Sequence, residues 1–230
     1  MAPTFAHLNV TTAYSAHYGV SWPEELVAVA AAEGAQILGY TDRDGLYGMA
    51  KHLKACMAHN IAPVVGVNLA VAWDPSTTLD GKPLPAGRVT ILAASAATAG
   101  YGAAKNLGAG YQALVRLISL AHRQLDHTDT PFVYVSQLAA AAQGGPDLFV
   151  LVGPETDVGV FMAQRKYPQG RSRLKLWKKA LPNGSAQVEL VSHMALPTAR
   201  LSTSQAVRML RASTDLKLPA VLTNAVRYAT

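Results

Sequence analysis

The sequence has one cysteine, and it has no apolar run of the roughly 18 residues that a membrane-spanning helix requires. Cys56 cannot form an internal disulfide, and its position in a helical pattern favours a buried small apolar side chain over a nucleophile. The opening residues MAPTF also lack the basic and apolar regions of a signal peptide. These absences argue against disulfide-stapled and membrane-spanning proteins, and we expect a cytoplasmic protein with no membrane partner.

Motifs of the common nucleotide-binding and covalent-catalysis sites are also missing. The sequence has neither a GxGxxG nor a GxxxxGK[ST] loop, so nothing supports mononucleotide binding by a glycine-rich phosphate cradle. No nucleophile elbow is present, and Ser15 beside His17 is a pair of sequence neighbours, which does not indicate a catalytic triad. Glu24 and Glu25 are explained by the preference for acidic residues in the first turn of a helix.

Acidic residues become scarce toward the C-terminus. Residues 1–157 carry 8 Lys and Arg against 12 Asp and Glu, whereas residues 158–230 carry 12 against 2. The candidate basic patch in this acid-poor part consists of Arg165, Lys166, Arg171, Arg173, Lys175, Lys178 and Lys179. Such a surface can attract nucleic acid or an acidic protein, or it can be the solvated face of a helix. Without a base-reading motif the sequence leaves both interpretations open.

Half of the residues are apolar and 15% are charged, so 230 residues can bury a substantial core, and we expect a single domain over residues 1–230. Strand patterns alternate with helical patterns of about 10 to 15 residues, which is typical of a parallel α/β fold. The patterns predict strands at residues 36–40, 61–72, 89–93, 132–135, 148–152, 188–191 and 220–223. They predict helices at residues 22–33, 111–122 and 202–215. They also predict two helices that end near residues 59 and 181, and one that begins at a cap at Ser136.

Two stretches are expected to contribute little to the fold. Residues 73–87 contain three prolines and two aspartates, and we interpret them as an exposed loop that could be trimmed. Residues 94–110 are rich in Ala and Gly, and we interpret them as a low-complexity insert.

The N-terminal stretch Phe5 to Gly19, FAHLNVTTAYSAHYG, predicts a buried strand that runs into a polar loop. It resembles the first motif, approximately HLHVHSxYSxxDG, of the PHP (polymerase and histidinol phosphatase) domain, in the form that opens bacterial family C DNA polymerases. Three further stretches resemble later motifs of that family. The stretch from Thr41 to Arg43 stands for TDH, that from Gly66 to Asn68 for Gly-x-Glu, and residues 223–230, TNAVRYAT, for TNDVHYAT.

At the positions where the family places metal ligands, this sequence carries weak ligands, cations or no ligand at all. We identify a vestigial metal-site pocket, with Asp42 as its only remaining carboxylate, at Asn9, Thr11, Tyr18, Asp42, Arg43, Asn68, Ala225 and Arg227. A cluster of divalent ions needs imidazoles and carboxylates, so we expect neither a bound metal nor another cofactor. His122 and His193 are candidates for two mid-chain ligands, although such histidines more often have structural partners.

The resemblance implies a PHP-type distorted (β/α)7 barrel of mostly parallel strands. It implies a noncatalytic structural or interaction domain of a DNA polymerase III alpha-type chain, which supports DNA replication or error-prone synthesis. The implied partners are the rest of the polymerase chain, with its palm and thumb, and DNA or a proofreading subunit. The alternative is a metal-dependent phosphoesterase or 3′–5′ exonuclease with atypical ligands.

The resemblance also bears on the chemistry of the vacated pocket. Arg43 and Arg227 replace two histidines that would have faced the same metal cluster, so we expect both to lie in the pocket. Asp42 and Asp44 are close in sequence, and we expect them to pair with these two arginines. Because guanidinium groups suit carboxylate and phosphate oxygens alike, Arg43 and Arg227 are also candidates for binding a phosphate or sulfate ion.

Overall fold

Seven strands form one curled, half-barrel sheet in the computed structural model, which describes residues 5–79, 82–94, 108–124, 130–143, 148–197 and 199–229. The elements are α1 (Pro23–Ala32), β1 (Ile37–Tyr40), α2 (Met49–Ala58), β2 (Ala62–Ala72), β3 (Thr78–Leu79), β4 (Lys82–Pro83), β5 (Pro85–Ala93), α3 (Ala109–Arg123), β6 (Phe132–Tyr134), α4 (Val135–Ala142), β7 (Leu148–Val152), α5 (Asp157–Ala163), α6 (Tyr167–Ala180), β8 (Ala186–Val191), α7 (Thr203–Leu216) and β9 (Ala220–Thr223). The strand order is β1-β2-β5-β7-β8-β9, and β6 pairs with β2.

The sheet is mostly parallel, as predicted, and β5 is the exception. Strand β2 pairs in parallel with β1 and β6, and β8 pairs in parallel with β7 and β9. Strand β5 runs antiparallel to both of its neighbours, β2 and β7. The long strand β2 uses its first residues for β1 and its later residues for β5, so it connects the edge strand β1 to the rest of the sheet.

The prediction of a regular N-terminal strand is wrong. His7 and Val10 instead form isolated bridges, His7 with Leu38 of β1 and Val10 with Val226 beyond β9. The Val10 N–H donates to the Thr41 hydroxyl (2.8 Å) rather than to a backbone carbonyl, which interrupts the ladder. The segment still links both edges of the sheet, because Gly39 donates to the His7 carbonyl oxygen (2.7 Å) and the Thr11 N–H donates to that of Val226 (2.9 Å).

Two clusters of buried apolar side chains support this sheet. The larger one fills the space between the sheet and helices α3 to α7. The smaller one packs α1 and α2 against β1, with Leu26, Leu38, Cys56 and Ile61 among its members. Helices α1 and α2 pack beside β1, and α7 packs against β8. In parallel α/β folds the carboxyl ends of the strands form the functional site.

The interpretation of residues 73–87 as a dispensable loop is wrong. Trp73, Leu84 and Ala86 are buried in the larger core cluster, and the hairpin β3–β4 and the start of β5 lie in this stretch. The Trp73 indole N–H donates to the buried carboxylate of Asp157 (3.1 Å). Pro83 and Pro85 therefore lie within short strands rather than in an exposed loop.

Smaller details of the predicted elements also differ. Helix α4 begins at Val135 with Tyr134 as N-cap, so Ser136 lies inside the helix, where its hydroxyl bonds to Asp74. The Tyr134 N–H is satisfied by the Gln137 side chain (2.9 Å). Most of the predicted low-complexity insert, residues 95–107, lies outside the described residues, and residues 109 and 110 begin α3. Across the described ranges, no helix combines the length and hydropathy needed to cross a membrane.

Trp73→Phe should destabilise the protein by about 1–3 kcal/mol, because the buried Asp157 carboxylate loses one of its N–H donors while most of the ring packing is kept. The control Trp22→Phe changes a half-exposed ring and should stay within about 0.5 kcal/mol of wild type. Urea unfolding followed by circular dichroism measures both. Equal stability of the two variants would contradict a structural function for residues 73–87.

Candidate functional site

The side chains beyond the strand ends surround one small cavity. Its volume of about 30 Å³ exceeds the roughly 10–15 Å³ that one water molecule needs, so the cavity has room for only a few water molecules. Seven of the eight residues of the predicted vestigial pocket line it: Asn9, Thr11, Tyr18, Arg43, Asn68, Ala225 and Arg227. The eighth, Asp42, is fully buried. The curl of the sheet brings these residues together although they come from distant parts of the sequence.

A cluster of four side chains spans the mouth of the cavity, and we name Tyr18, Arg43, Glu155 and Arg227 the strand-end cluster. The Glu155 carboxylate accepts a hydrogen bond from the Tyr18 hydroxyl (2.8 Å) and faces the Arg43 guanidinium at 3.2 Å. The Arg227 guanidinium approaches the same carboxylate at 3.8 Å. The central carbons of both guanidiniums also lie over the Tyr18 ring, at 3.0 Å for Arg43 and 4.4 Å for Arg227.

The expected pairing of these arginines with Asp42 and Asp44 is wrong. Asp42 accepts hydrogen bonds from the Thr12 N–H (2.6 Å), the Thr12 hydroxyl (2.7 Å) and the Ser15 hydroxyl (2.8 Å). Its side chain thus fixes the loop that follows the N-terminal segment. Asp44 pairs with Arg88 at 2.7 Å.

Arg88 is a third guanidinium in the pocket, and no sequence motif indicates it. Its Nε donates to the Asn68 side-chain oxygen (2.6 Å), and its terminal nitrogen donates to the Asn68 carbonyl oxygen (2.8 Å). Burial and the nearby Arg88 charge lower the pKa of Arg43 from its usual range. The Arg43 Nε atom is buried without a hydrogen-bond partner among the residues that the structure describes.

Two glutamates were also missed. Glu155 follows β7, and its loop approaches β5 so closely that a Cβ on Gly87 (φ 93°) would collide with the Glu155 carbonyl oxygen. Glu189 lies in β8, and Gly153 leaves the space for its carboxylate. A signal for Glu189 was available, because it is the only acid between Asp157 and Asp215 and lies in an apolar strand pattern.

Glu189 is buried in a polar cage. Its Oε1 atom accepts hydrogen bonds from the Asn9 amide (2.7 Å) and the Thr223 hydroxyl (2.7 Å). Burial raises the pKa of the Glu189 carboxyl above its usual value, against the opposing effect of these two hydrogen bonds. The carboxyl therefore binds a proton more readily in the folded protein than in the unfolded chain.

The donor set does not fit a cluster of divalent cations. Within the described ranges, no group of three or more His, Cys, Asp or Glu side chains could hold a metal ion. Asp42 has its oxygens engaged by the loop, and burial raises the pKa of Glu189, which disfavours the ionised form that a metal would need. Three guanidiniums, from Arg43, Arg88 and Arg227, supply the positive charge at this pocket.

The two candidate leftover histidines do not complete such a cluster. His122 Nε2 donates to the Asp44 carbonyl oxygen (2.6 Å), and His193 Nε2 donates to the Asn224 carbonyl oxygen (2.6 Å). His193 lines a different and larger cleft beside α1. Both rings therefore make structural contacts to backbone.

Most of the predicted basic patch is exposed, but Arg173 is not part of that surface. Arg173 lies on the inner face of α6, is 8% exposed and faces the buried Asp157 at 3.9 Å. The exposed members, which we name the α6 basic face, are Arg165, Lys166, Arg171, Lys175, Lys178 and Lys179. Arg171 pairs with Asp215 of α7 at 3.4 Å, and Lys178 donates to the Leu216 carbonyl oxygen (2.6 Å).

Comparison with known sequences finds the PHP domain model matching residues 7–193. Error-prone DNA polymerase of Mycobacterium tuberculosis is 31% identical over 140 residues, which cover 61% of this chain and 12% of that polymerase. DNA polymerase III subunit alpha of Bacillus subtilis is 37% identical over 81 residues, which cover 35% of this chain and 7% of that subunit. The chain thus spans about an eighth, 12%, of the length of the error-prone polymerases that it matches.

Solved structures with the same fold are distant in sequence. An amidohydrolase from Chromobacterium violaceum, with bound sulfate and no metal, superposes with a TM-score of 0.58 at 15% identity, over 97% of this chain and 88% of that one. A protein from Bifidobacterium adolescentis assigned as a metal-dependent phosphoesterase superposes with a TM-score of 0.58 at 13% identity, over 99% and 89%.

Glu189→Gln should raise stability relative to wild type increasingly as pH rises above 4.5, the usual pKa of a glutamate. Between that value and the raised pKa of the folded protein, the folded wild type holds a proton that the unfolded chain releases, so its free energy of unfolding falls with pH by up to about 1.4 kcal/mol per pH unit. Glutamine keeps the acceptor for Asn9 and Thr223 but cannot ionise.

Thermal melts between pH 4 and pH 8 measure the difference, and Glu24→Gln, which removes an exposed carboxyl on α1, is the matched control. A stability difference between Glu189→Gln and wild type that stays constant with pH would contradict this account of the buried carboxyl.

Proposed function

This chain belongs to the PHP domain family, and we propose that it is a noncatalytic structural and interaction domain of a bacterial DNA polymerase III alpha-type chain. Its relatives named error-prone DNA polymerase and DNA polymerase III subunit alpha support that assignment. In this proposal residues 1–230 form a single domain that acts in the cytoplasm. Its parent chain is a DNA-directed polymerase, and the domain supports replication or error-prone synthesis.

The strand-end cluster is the observation that carries the noncatalytic assignment. A metal cluster would tie the loops beyond several strands to common cations. Here one carboxylate, from the loop after β7, contacts Arg43 beyond β1 and Arg227 beyond β9. The side chains of Arg43 and Glu155 retain only 22% and 21% of their exposure, so water screens their attraction less than at an open surface. Ion pairing thus supplies the cross-links between strand ends without hydrolytic chemistry.

The alternative, a metal-dependent phosphoesterase or 3′–5′ exonuclease, finds support only in the shared fold. Fold similarity at 13% identity does not transfer an activity, because function depends on the residues of the site. Metal-assisted hydrolysis needs ligands that activate water and polarise phosphate. Arg43, Arg227 and Ala225 cannot supply them.

Anion binding by Arg43 and Arg227 remains part of the proposal, with one added condition. The cavity has room for only a few water molecules, and the Glu155 carboxylate already lies against both guanidiniums. A phosphate or sulfate ion would therefore have to take the position of that carboxylate. Glu155 acts in this view as an internal anion.

The α6 basic face is the proposed contact for DNA or for an acidic surface of a proofreading subunit. Asp215 is the acidic residue paired with this face, and it engages Arg171 and Tyr167. Arg211 of α7 extends the positive charge beside Tyr167, with its guanidinium 5.0 Å from that ring. A surface of this charge attracts phosphate backbones without reading sequence.

Glu155→Ala should lower the stability of the protein by about 1–3 kcal/mol, because two guanidiniums and the Tyr18 hydroxyl lose their shared acceptor. Millimolar phosphate or sulfate should raise the melting temperature of this variant more than that of wild type. Glu155→Gln, which keeps an acceptor for Tyr18 and removes the charge, is the matched variant. EDTA should leave the melting temperature of wild type unchanged.

Differential scanning fluorimetry with each anion, and with sodium chloride as ionic-strength control, measures these effects. If Glu155→Ala melts at the wild-type temperature, or if EDTA alone lowers the melting temperature of wild type, the proposed cross-link is wrong.

Neutralising Arg171, Lys175, Lys178 and Lys179 to glutamine should weaken binding of duplex DNA and flatten its dependence on salt. Each lost phosphate contact should reduce the slope of log K against log salt by about 0.9. Lys51→Gln with Lys54→Gln on α2 removes two exposed lysines away from this face as a control. Fluorescence anisotropy at several salt concentrations tests this, and an unchanged affinity and slope would exclude the α6 basic face as a DNA contact.

A further inference from the structure

The α6 basic face contains a regular row of cations. Arg171, Lys175 and Lys178 are exposed and are spaced four and three residues apart, so they lie on the same side of α6. The sequence of α6, YPQGRSRLKLWKKA, contains no acidic residue. The structure describes the whole of α6, and none of its large apolar side chains is exposed. The row is therefore a positively charged surface without an apolar centre.

This composition favours nucleic acid over protein as the partner of the α6 basic face. The buried core of a protein–protein interface is apolar and enriched in aromatic side chains. Interfaces with nucleic acid are more polar and much more positively charged. They need no apolar pocket, because most of their hydrogen bonds go to phosphate and sugar oxygens.

One carboxylate interrupts the positive charge where α6 and α7 pack together. Asp215 is the only acidic residue of the two helices. It accepts a hydrogen bond from the Tyr167 hydroxyl (2.7 Å), and the same oxygen lies 3.4 Å from Nε of Arg171. The Arg211 guanidinium lies 5.0 Å from the centre of the Tyr167 ring. We name Tyr167, Arg171, Arg211 and Asp215 the α6–α7 cluster.

The charges of this cluster all act on the Tyr167 hydroxyl. Burial and the hydrogen bond to Asp215 raise the pKa of Tyr167, whereas the positive charges of Arg211 and Arg171 oppose that rise. The cluster is open to solvent, because the side chains of Arg171 and Asp215 retain 44% and 39% of their exposure. A phosphate oxygen can therefore reach the donors that now surround the carboxylate.

The stability of the fold gives little reason for a carboxylate at position 215. Ion pairs with this degree of exposure contribute little to folding. Asp215 also lies in the last turn of α7, where a negative charge opposes the helix dipole. Its main effect is therefore on the charge that an approaching ligand meets.

The donors of the α6–α7 cluster suit a phosphate as well as a carboxylate. Guanidinium and hydroxyl groups both donate hydrogen bonds to phosphate oxygens. A phosphate of a nucleic-acid backbone carries one negative charge, as the carboxylate does, so either can neutralise the same donors. Both cannot lie there together without cost, because two like charges about 4 Å apart in water lower affinity about fivefold.

We propose that Tyr167, Arg171 and Arg211 form a subsite for one backbone phosphate of nucleic acid, and that Asp215 occupies this subsite as an internal competitor. This inference rests on the proposed function, because it deepens the DNA contact of the α6 basic face. The remaining cations of the row bind the neighbouring phosphates. Asp215 thereby limits the affinity of the surface for nucleic acid of any sequence.

Asp215→Asn tests the competition directly. The amide keeps an oxygen acceptor for the Tyr167 hydroxyl and lacks the negative charge, so the melting temperature should stay close to that of wild type. Glu24→Gln makes the same change in net charge at an exposed position of α1 and is the matched control. Fluorescence anisotropy with a short labelled duplex of mixed sequence, at several salt concentrations, gives the affinity and its dependence on salt.

We expect Asp215→Asn to bind the duplex about fivefold more tightly than wild type at low salt, and Glu24→Gln to stay within about twofold of wild type. The slope of log K against log salt should steepen by up to about 0.9, the value of one added phosphate contact. In a background of Arg171→Gln with Arg211→Gln, Asp215→Asn should gain no more than Glu24→Gln does, because the subsite has lost its cations.

Equal gains from Asp215→Asn and Glu24→Gln, or a gain that persists without the two arginines, would overturn the proposal. Competition against the duplex identifies the occupant. If poly-L-glutamate displaces the duplex from Asp215→Asn as well as unlabelled duplex does at equal concentration of charge, the subsite belongs to an acidic protein contact and the proposal is wrong. If millimolar inorganic phosphate does so at constant ionic strength, the subsite holds a small free anion and the proposal is equally wrong.

Failure of this inference is distinguishable from failure of the proposed function. Unchanged duplex binding in the fourfold glutamine variant of the α6 basic face would exclude that face as the DNA contact, and this inference with it. Loss of binding in the fourfold variant, together with no gain in Asp215→Asn, would defeat the inference and leave the DNA contact standing.

Discussion

One carboxylate holds two guanidiniums that belong to opposite ends of the strand order. Arg43 follows β1, at one edge of the sheet, and Arg227 follows β9, at the other. Glu155 reaches both because it follows β7, in the interior of the sheet, and because Gly87 allows its loop to approach β5. The curl of the sheet, the closure by the N-terminal segment and the small size of the cavity all depend on these loops staying together.

The three acidic side chains at the pocket, Asp42, Glu189 and Glu155, have three different kinds of partner. Asp42 is surrounded by hydroxyl and N–H donors of the first loop, so hydrogen bonds satisfy its carboxylate oxygens. Glu189 is held by two neutral donors in a buried position that raises its pKa. Glu155 pairs with the guanidiniums of Arg43 and Arg227. A metal cluster needs several carboxylates or imidazoles whose ligand atoms converge on one point. The three acidic side chains of this pocket each have other partners, so they do not form such a ligand set.

The sequence predicts the regular elements well where hydrophobic periodicity and caps agree. Strands β7 and β9 match their predicted bounds, and α7 begins directly after its predicted cap, Ser202, whose hydroxyl accepts from the Gln205 N–H. The N-terminal strand failed because the Thr41 hydroxyl replaces a ladder partner, which no local pattern shows. Residues 73–87 were misjudged because turn residues outweighed Trp73 and Leu84, whose burial depends on distant helices.

The residues of the site were likewise predictable where a local motif exists and not where distant residues meet. Motif resemblance indicated the positions around the cavity, but it indicated no replacement partners, since Glu155, Arg88 and Glu189 lie outside the motifs. The partners of Arg43 were assigned to Asp42 and Asp44 by sequence proximity, whereas the fold brings in Glu155 from 112 positions away. Arg173 was assigned to a surface by its charge, although its place on the α6 helix turns it toward Asp157. Pairing between charged residues that are distant in the sequence cannot be predicted from local sequence patterns.

The central claim is that ion pairing between strand ends replaces a metal centre in this domain. Elemental analysis tests it most directly, on protein purified without chelator and then dialysed against zinc or manganese. The account predicts less than stoichiometric metal in both preparations, with no change on substituting Asp42 or His193. A stoichiometric divalent metal that disappears in Asp42→Ala or His193→Ala would contradict it.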